Sequence, residues 1–311
     1  MLPSNRSLVT ITEVDKQKIR RFFEVDDEER INNGVATLAD WCCRQEHFVE
    51  KKINTNILER LFVISKGSVE EAKRRVDSLL TTRGLMGELT LNKTAEEFKC
   101  HSELFTYATL PKMHPVDQTR VMVIHFFTDK LDDLSMLAFH RFCILLTEYR
   151  HNFDYALAER YILDMKNFSF NLITKLSPML LRKVEILCTK GYGIKIKGIH
   201  ILNAPSFVDK VVYILKQGMK EKIGRRIHAH GTLEDLHKHI PKEILPIDYG
   251  GEDRSLAELH AKWMEETFST TMAEYCIAAE RLVTDESRRS ADKFNEEYMG
   301  MPGSFRKLNV D

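Results

Sequence analysis

Three short apolar runs, set apart by helix-length segments, constrain this chain more than anything else in it. Val121 to Phe127, Tyr161 to Met165 and Ile194 to Leu202 are dense in aliphatic residues, and the first is broken only by His125. Such a run is a strand covered on both faces. Between the first two runs, Leu134, Leu137, Ala138, Phe142, Leu145 and Leu146 fall on one helical face; Leu176 to Cys188 reads as a helix between the second and third. Strand–helix alternation of this kind predicts an α/β domain with a mainly parallel sheet. After the third strand comes a Pro205-started helix with apolar residues at 207, 208, 211, 212, 214 and 215. A short strand around Arg226 to Ala229 and a helix from Thr232 to about His239 follow.

The flanks read differently. Val35, Leu38, Ala39 and Cys42 share one helical face, as do Val69, Ala72, Val76, Leu79 and Leu80, and Ser68 with Glu71 marks the start of that second helix. Gly84 and Gly87 are expected to close it, in a linker-like stretch over 84–92, with a second turn-rich stretch from Pro111 to Asp117. Leu256 to about Leu282 is helical and acidic, and Asp285 to Asp311 is expected to be an extended tail. The resulting division is a helical lobe over 1–92, a binding domain over 93–255, and a C-terminal helix with tail over 256–311.

Lys plus Arg equals Asp plus Glu at 46 each, so net charge names no partner, but the distribution does. From Lys195 to Arg226 there are eight basic and two acidic residues; from Thr232 to Asp311 there are ten basic and seventeen acidic. The cations bracket an apolar helix, a pattern suited to an anionic membrane surface and a greasy cargo. Nucleic acid is disfavoured, because the basic clusters are not interleaved with aromatics. Six cysteines without regular spacing suit reduced, mostly buried thiols. No segment has the length of a spanning helix or a signal-peptide core, so a cytoplasmic chain with peripheral membrane contact is expected, as a monomer.

Enzyme chemistry finds few parts. The chain has no GxSxG elbow, no GxxxxGK[ST] phosphate loop and no HExxH. His228, His230, His237 and His239 are the best metal candidates, yet no carboxylate or cysteine completes a shell, and no metal or cofactor is expected. Asp164, inside the second strand, could serve as a buried acid, but such an Asp more often binds loop amides at a strand end.

With these residues laid out, the chain resembles the CRAL-TRIO family, over about residues 56–265. Leu61 to Ala72, continuing to Arg83, is similar to the family's N-terminal helical module. Lys197-Gly-Ile-His-Ile-Leu-Asn-Ala-Pro205, Lys222 to Gly231 and Ile244-Leu-Pro-Ile-Asp-Tyr-Gly-Gly251 are similar to its lipid-binding domain, and Gly303 to Asp311 to the tail of many insect members. The resemblance implies a helical lobe beside an α/β lobe whose sheet floors an apolar pocket, closed by a lid helix over about Ala204 to Met219. It implies a carrier for a retinoid, tocopherol, carotenoid or similar isoprenoid, not an enzyme; the alternative is a phospholipid-sensing adaptor without transfer activity. Pocket residues implied are Cys143, Thr147, Tyr161, Leu163, Leu176, Val184, Leu187, Tyr192 and Ile194, with Phe207, Val211, Ile214 and Leu215 from the lid. A phosphoinositide headgroup would meet Lys195, Lys197, Lys222 and Arg226. A fifth basic position of the family falls on Ser65 here, beside Lys66, and Gln217-Gly218 stands where relatives often carry Pro and an aromatic, which is expected to loosen the lid's end.

Overall fold

The computed structural model describes residues 8–99, 101–126, 131 and 134–289. The expected tail and the Gly303 to Asp311 resemblance lie outside the described residues, apart from the tail's first few positions. The N-terminal helices are α1 (Glu13–Phe22), α2 (Glu28–Cys43), α3 (Thr55–Ile64) and α4 (Val69–Leu85). Short polar side chains start them: Asp27 accepts from the Glu29 and Arg30 amides, and Ser68 accepts from the Glu71 amide at 3.3 Å. α4 ends within the Gly84 to Gly87 stretch expected to close it. The helix runs to Leu85, and a further turn, α5 (Gly87–Thr90), buries Met86 and Leu89 completely, so the 84–92 stretch is packed rather than linker-like.

After the turn α6 (Ala95–Phe98), five strands form one sheet in chain order: β1 (Thr106–Thr109), β2 (Arg120–His125), β3 (Ala158–Asp164), β4 (Lys195–Leu202) and β5 (Ile227–Ala229). β2 to β5 are mutually parallel, and β1 pairs antiparallel with β2. β1 is too short and mixed (Thr-Tyr-Ala-Thr) to stand out in the sequence; the Pro111 to Asp117 turns are the connection that folds it back. The crossovers are α7 (Met136–Arg150), then α8 (Phe170–Lys175) with α9 (Pro178–Ile186), then α10 (Val208–Gly218) with the turn α11 (Glu221–Gly224). Because the parallel strands follow chain order, right-handed crossovers place these helices on the same side of the sheet. α12 (Leu233–His237), α13 (Leu256–Thr267) and α14 (Thr270–Ala279) complete the chain, with Trp263 of α13 donating to the Thr109 carbonyl on β1 at 3.2 Å.

Buried charge ties the helical lobe to the sheet. Glu148 on α7 accepts from Arg83 of α4, from the Tyr192 hydroxyl and from Lys93 at 3.1 Å, and Arg83, Lys93 and Glu148 side chains are each 2% exposed. Arg83 also donates to the Leu282 and Ala279 carbonyls, both at 2.9 Å, drawing the C-terminal helices into the same joint. Such a network is costly to break, because removing one member strands the others without water.

Candidate functional site

Between the sheet and its helical cover lies an apolar cavity of about 160 Å³. Tyr161 and Leu163 of β3 point into it, two apart as pleating requires, while Ile162 between them is fully buried on the other face. β4 contributes Ile196 and Ile199, three apart. Its pairing with β3 slips there, Glu159 facing Ile196 but Arg160 facing Gly198, so a bulge at Lys197 returns Ile199 to the cavity side. α7 supplies Met136, Phe139, His140, Cys143, Ile144 and Thr147, an i, i+3, i+4, i+7 stripe. The cover is α10, through Val211 and Leu215 one turn apart, against Leu181 and Val184 of α9.

The lining is apolar apart from a few polar groups. Tyr107 and Thr147 hydroxyls meet at 3.4 Å, and Tyr161 donates to Glu159 at 2.5 Å. Glu185, 2% exposed, faces Arg182 at 2.6 Å and the Thr189 hydroxyl at 2.9 Å. His140 donates Nδ1–H to the Met136 carbonyl at 2.7 Å, and burial pushes its imidazole down to about 4, so it stands neutral in the wall.

Of the thirteen residues expected at a pocket, Cys143, Thr147, Tyr161, Leu163, Leu176, Val184, Val211 and Leu215 lie on this cavity. Leu187, Tyr192, Ile194, Phe207 and Ile214 do not. The helix after Ile186 widens into a π-turn over Leu187–Gly191, which rotates Leu187 into the core of the helical lobe, where Ile194 also packs. Tyr192 gives its hydroxyl to Glu148, at the joint between the lobes. Phe207 precedes α10 and packs edge-on to Phe170 at 5.6 Å, and Ile214 sits about 100° round the helix from Leu215.

The four expected headgroup cations gather at the start of β4. Arg226 donates to the Ile196 carbonyl between Lys195 and Lys197, and Lys195 stands over the Phe23 ring at 4.2 Å. Burial, then repulsion from Lys197, Arg75, Lys222 and Lys66, lowers the Lys195 ammonium, which places all five cations within one electrostatic neighbourhood. Arg75, on α4, was not among the expected cations. Ser65 is buried and donates to the Leu61 carbonyl at 2.7 Å, capping α3 rather than facing this cluster.

Residues 112–251 match the CRAL/TRIO domain. The chain carries a CRAL/TRIO domain. Among similar curated proteins, alpha-tocopherol transfer protein-like from Mus musculus is 37% identical over 89 residues, covering 28% of this chain and 26% of that protein. Clavesin-2 from Rattus norvegicus is 35% identical over 91 residues, covering 29% of this chain and 28% of the relative. The alignments thus span only about a quarter of the relatives' length. The crystal structure of Sfh5 aligns with 87% of this chain and 98% of its own, at 12% identity and a TM-score of 0.48.

The matched CRAL/TRIO span holds β2 to β5, α7 to α10 and therefore most of the cavity wall, while Tyr107 enters from β1 outside it. Within it, Asp164 is fully engaged: Asn203 donates at 2.8 Å, the Lys166 amide at 3.2 Å and the Tyr249 hydroxyl at 3.0 Å. These bonds fasten the loops at the strand's end. His237 bonds the Tyr249 carbonyl at 2.8 Å, away from the other three candidate histidines, which instead gather round His200 of β4. Among the described residues, no group of three or more His, Cys, Asp or Glu has the geometry to hold a metal ion. Nor is any described helix long and apolar enough to cross a membrane. Gly218 does not loosen the α10 end: a Cβ there would stand 2.5 Å from the Leu181 Cβ, so its absence lets α10 close tightly on α9.

Proposed function

We propose that this chain binds a small hydrophobic lipid of the isoprenoid type (retinoid, tocopherol or carotenoid) and exchanges it at anionic, phosphoinositide-bearing membranes. The observation that carries this reading is the apolar cavity closed by α10 through Val211 and Leu215. Its few polar groups suit a cargo that is apolar along its length and polar at one end. At about 160 Å³ the cavity has room for roughly one ring, since an engineered apolar cavity of ~150 Å³ takes benzene. A longer cargo therefore needs α10 to move outward, or the methionines Met136, Met165 and Met219 in the wall to repack.

Release needs a trigger that acts on the cover. Lys195 and Lys197 precede α10 on the chain, and Lys222 and Arg226 follow it. Each cation near an anionic surface contributes on the order of 1 kcal/mol, so four bias a cover equilibrium by several hundredfold. Charge reversal of Lys222 and Arg226 to Glu should abolish transfer between phosphoinositide vesicles while leaving cargo affinity in solution intact. Transfer at the wild-type rate would end the trigger, and solvent extraction of the purified protein followed by mass spectrometry would name the cargo.

A further inference from the structure

Four imidazoles stand in one group at the open edge of the sheet, and the carrier reading leaves them unused. His200 lies on β4, His228 faces it across the parallel ladder on β5, His230 follows β5, and His239 comes from beyond α12. Five of the six ring pairs have centroids 5.0–5.4 Å apart; His228 and His230 are 6.3 Å apart. The rings of His200, His228 and His230 are within 13–25° of parallel. β5 itself is only three residues long and pairs with β4 alone.

We propose that this stack is a proton-sensitive clasp: neutral rings hold β5 to the sheet, and protonation of more than one ring frees β5 together with the exit end of the α10 cover. The central contact states the condition. His200 Nδ1 and His230 Nε2 lie 2.9 Å apart, an N–H···N bond that needs one nitrogen to donate and the other to accept. If both rings carry two protons, both nitrogens donate and the bond becomes a repulsion. His200 is fully buried and His230 nearly so, which strengthens that repulsion relative to one in water.

The surroundings add positive charge rather than remove it. From β3, Arg160 reaches the cluster: a Cβ at Gly198 would touch both the His200 Nε2, at 2.5 Å, and an Arg160 nitrogen, at 3.2 Å. Arg160 is itself paired with Asp117 at 2.5 Å. His114, from the β1–β2 connection, contacts the His239 carbonyl at 3.2 Å and Asp117 at 3.3 Å, with Glu243 acting on it from further away. From α12, Asp235 alone favours a charged His230. Burial first, then the neighbouring rings and Arg160, hold His200 down to about 3 and lower His228; burial and the other rings lower His230. Groups lowered in this way are neutral in the clasped state and take up protons on opening, so acid between about pH 6.5 and 3 favours release.

The position of β5 gives the clasp its reach. The chain runs from α10 through α11, with Lys222, and through Arg226 directly into β5, whose ends are fixed by the Ile199 amide on the Arg226 carbonyl and the His230 amide on the Ile201 carbonyl, both at 2.9 Å. A membrane surface near −30 mV enriches protons roughly threefold, so the same surface that draws Lys222 and Arg226 also loads the rings. This last step rests on the carrier reading; the clasp does not.

Hydrogen exchange of the full chain at pH 7.5, 6.5 and 5.5, corrected for the intrinsic pH dependence of exchange, tests it without any lipid. With released rings titrating near 6.5, each proton taken up on opening multiplies the opening constant by about ten between pH 7.5 and 5.5, so two give a roughly hundredfold gain in 222–230 over that range. The variant His230→Asn, which removes one ring of the central pair, should reduce that to about tenfold or less. Should it fail to fold, His228→Asn alone, at a half-buried position whose ring is also lowered, should still flatten the response. A wild-type change in 222–230 no larger than that of β2, or a variant as steep as wild type, overturns the clasp. Vesicle transfer at the same pH values is a separate readout: exchange that opens with acid while transfer is absent at every pH sinks the carrier reading and leaves the clasp standing.

Discussion

Replacing Gly218 by Ala tests how α10 is held over the cavity. The added methyl would stand 2.5 Å from the Leu181 Cβ and 2.9 Å from the Pro178 carbonyl oxygen, where carbon contacts are normally about 3.5–4.0 Å. Neither atom can swing aside, because both are fixed to the backbone of α9. The end of α10 must therefore back away by roughly an ångström, at an overpacking cost of about 1–3 kcal/mol. Alanine's better helix propensity returns at most about 1 kcal/mol, and less at the last residue of a helix. The balance is about 1–2 kcal/mol against the closed cover, a factor of 5–30 in the closed-to-open ratio. Amide exchange along α10 should accelerate by that factor, and release of a bound apolar probe should accelerate with it. Exchange that stays unchanged or slows would show that helix propensity outweighs the contact, and that Gly218 does not set the spacing of the two helices.

Glu148→Gln removes the carboxylate that Arg83 and Lys93 share, and should cost about 3–5 kcal/mol in denaturant unfolding, since two cations stay buried; a loss under 1 kcal/mol would mean water already reaches the joint. His140 is neutral in the fold and gains protons on unfolding, so its contribution is present above about pH 6.5 and lost as pH falls towards 4, at up to about 1.4 kcal/mol per pH unit. His140→Asn should flatten the stability profile by that slope between pH 6 and 4.5, and an unaltered slope would place the effect elsewhere. Cys143→Phe should fill part of the cavity from α7 and weaken binding of an apolar probe at least tenfold, while titration calorimetry showing wild-type affinity would put the probe in another site.

The parallel strands β2 to β4 were legible because each is an apolar run bounded by helix-period sequence. β1 was not, since Thr106 to Thr109 alternates too briefly to signal a strand and is recruited by pairing with β2. Two-thirds of the cavity stripe on α7 stayed hidden for a different reason. The expected face, with Phe142, Leu145 and Leu146, is the one packed into the core, while Met136, Phe139, His140 and Ile144 point to the cavity. A helix apolar on all sides carries no sign of which side meets a void. Ile196 and Ile199 could be found only through the bulge, whose one trace in the sequence is Gly198. That same glycine leaves the space in which the His200 ring and Arg160 lie together. One backbone irregularity thus sets both the cavity wall on one face of β4 and the histidine stack at its edge, so a side chain at 198 should disturb cargo binding and the acid response together.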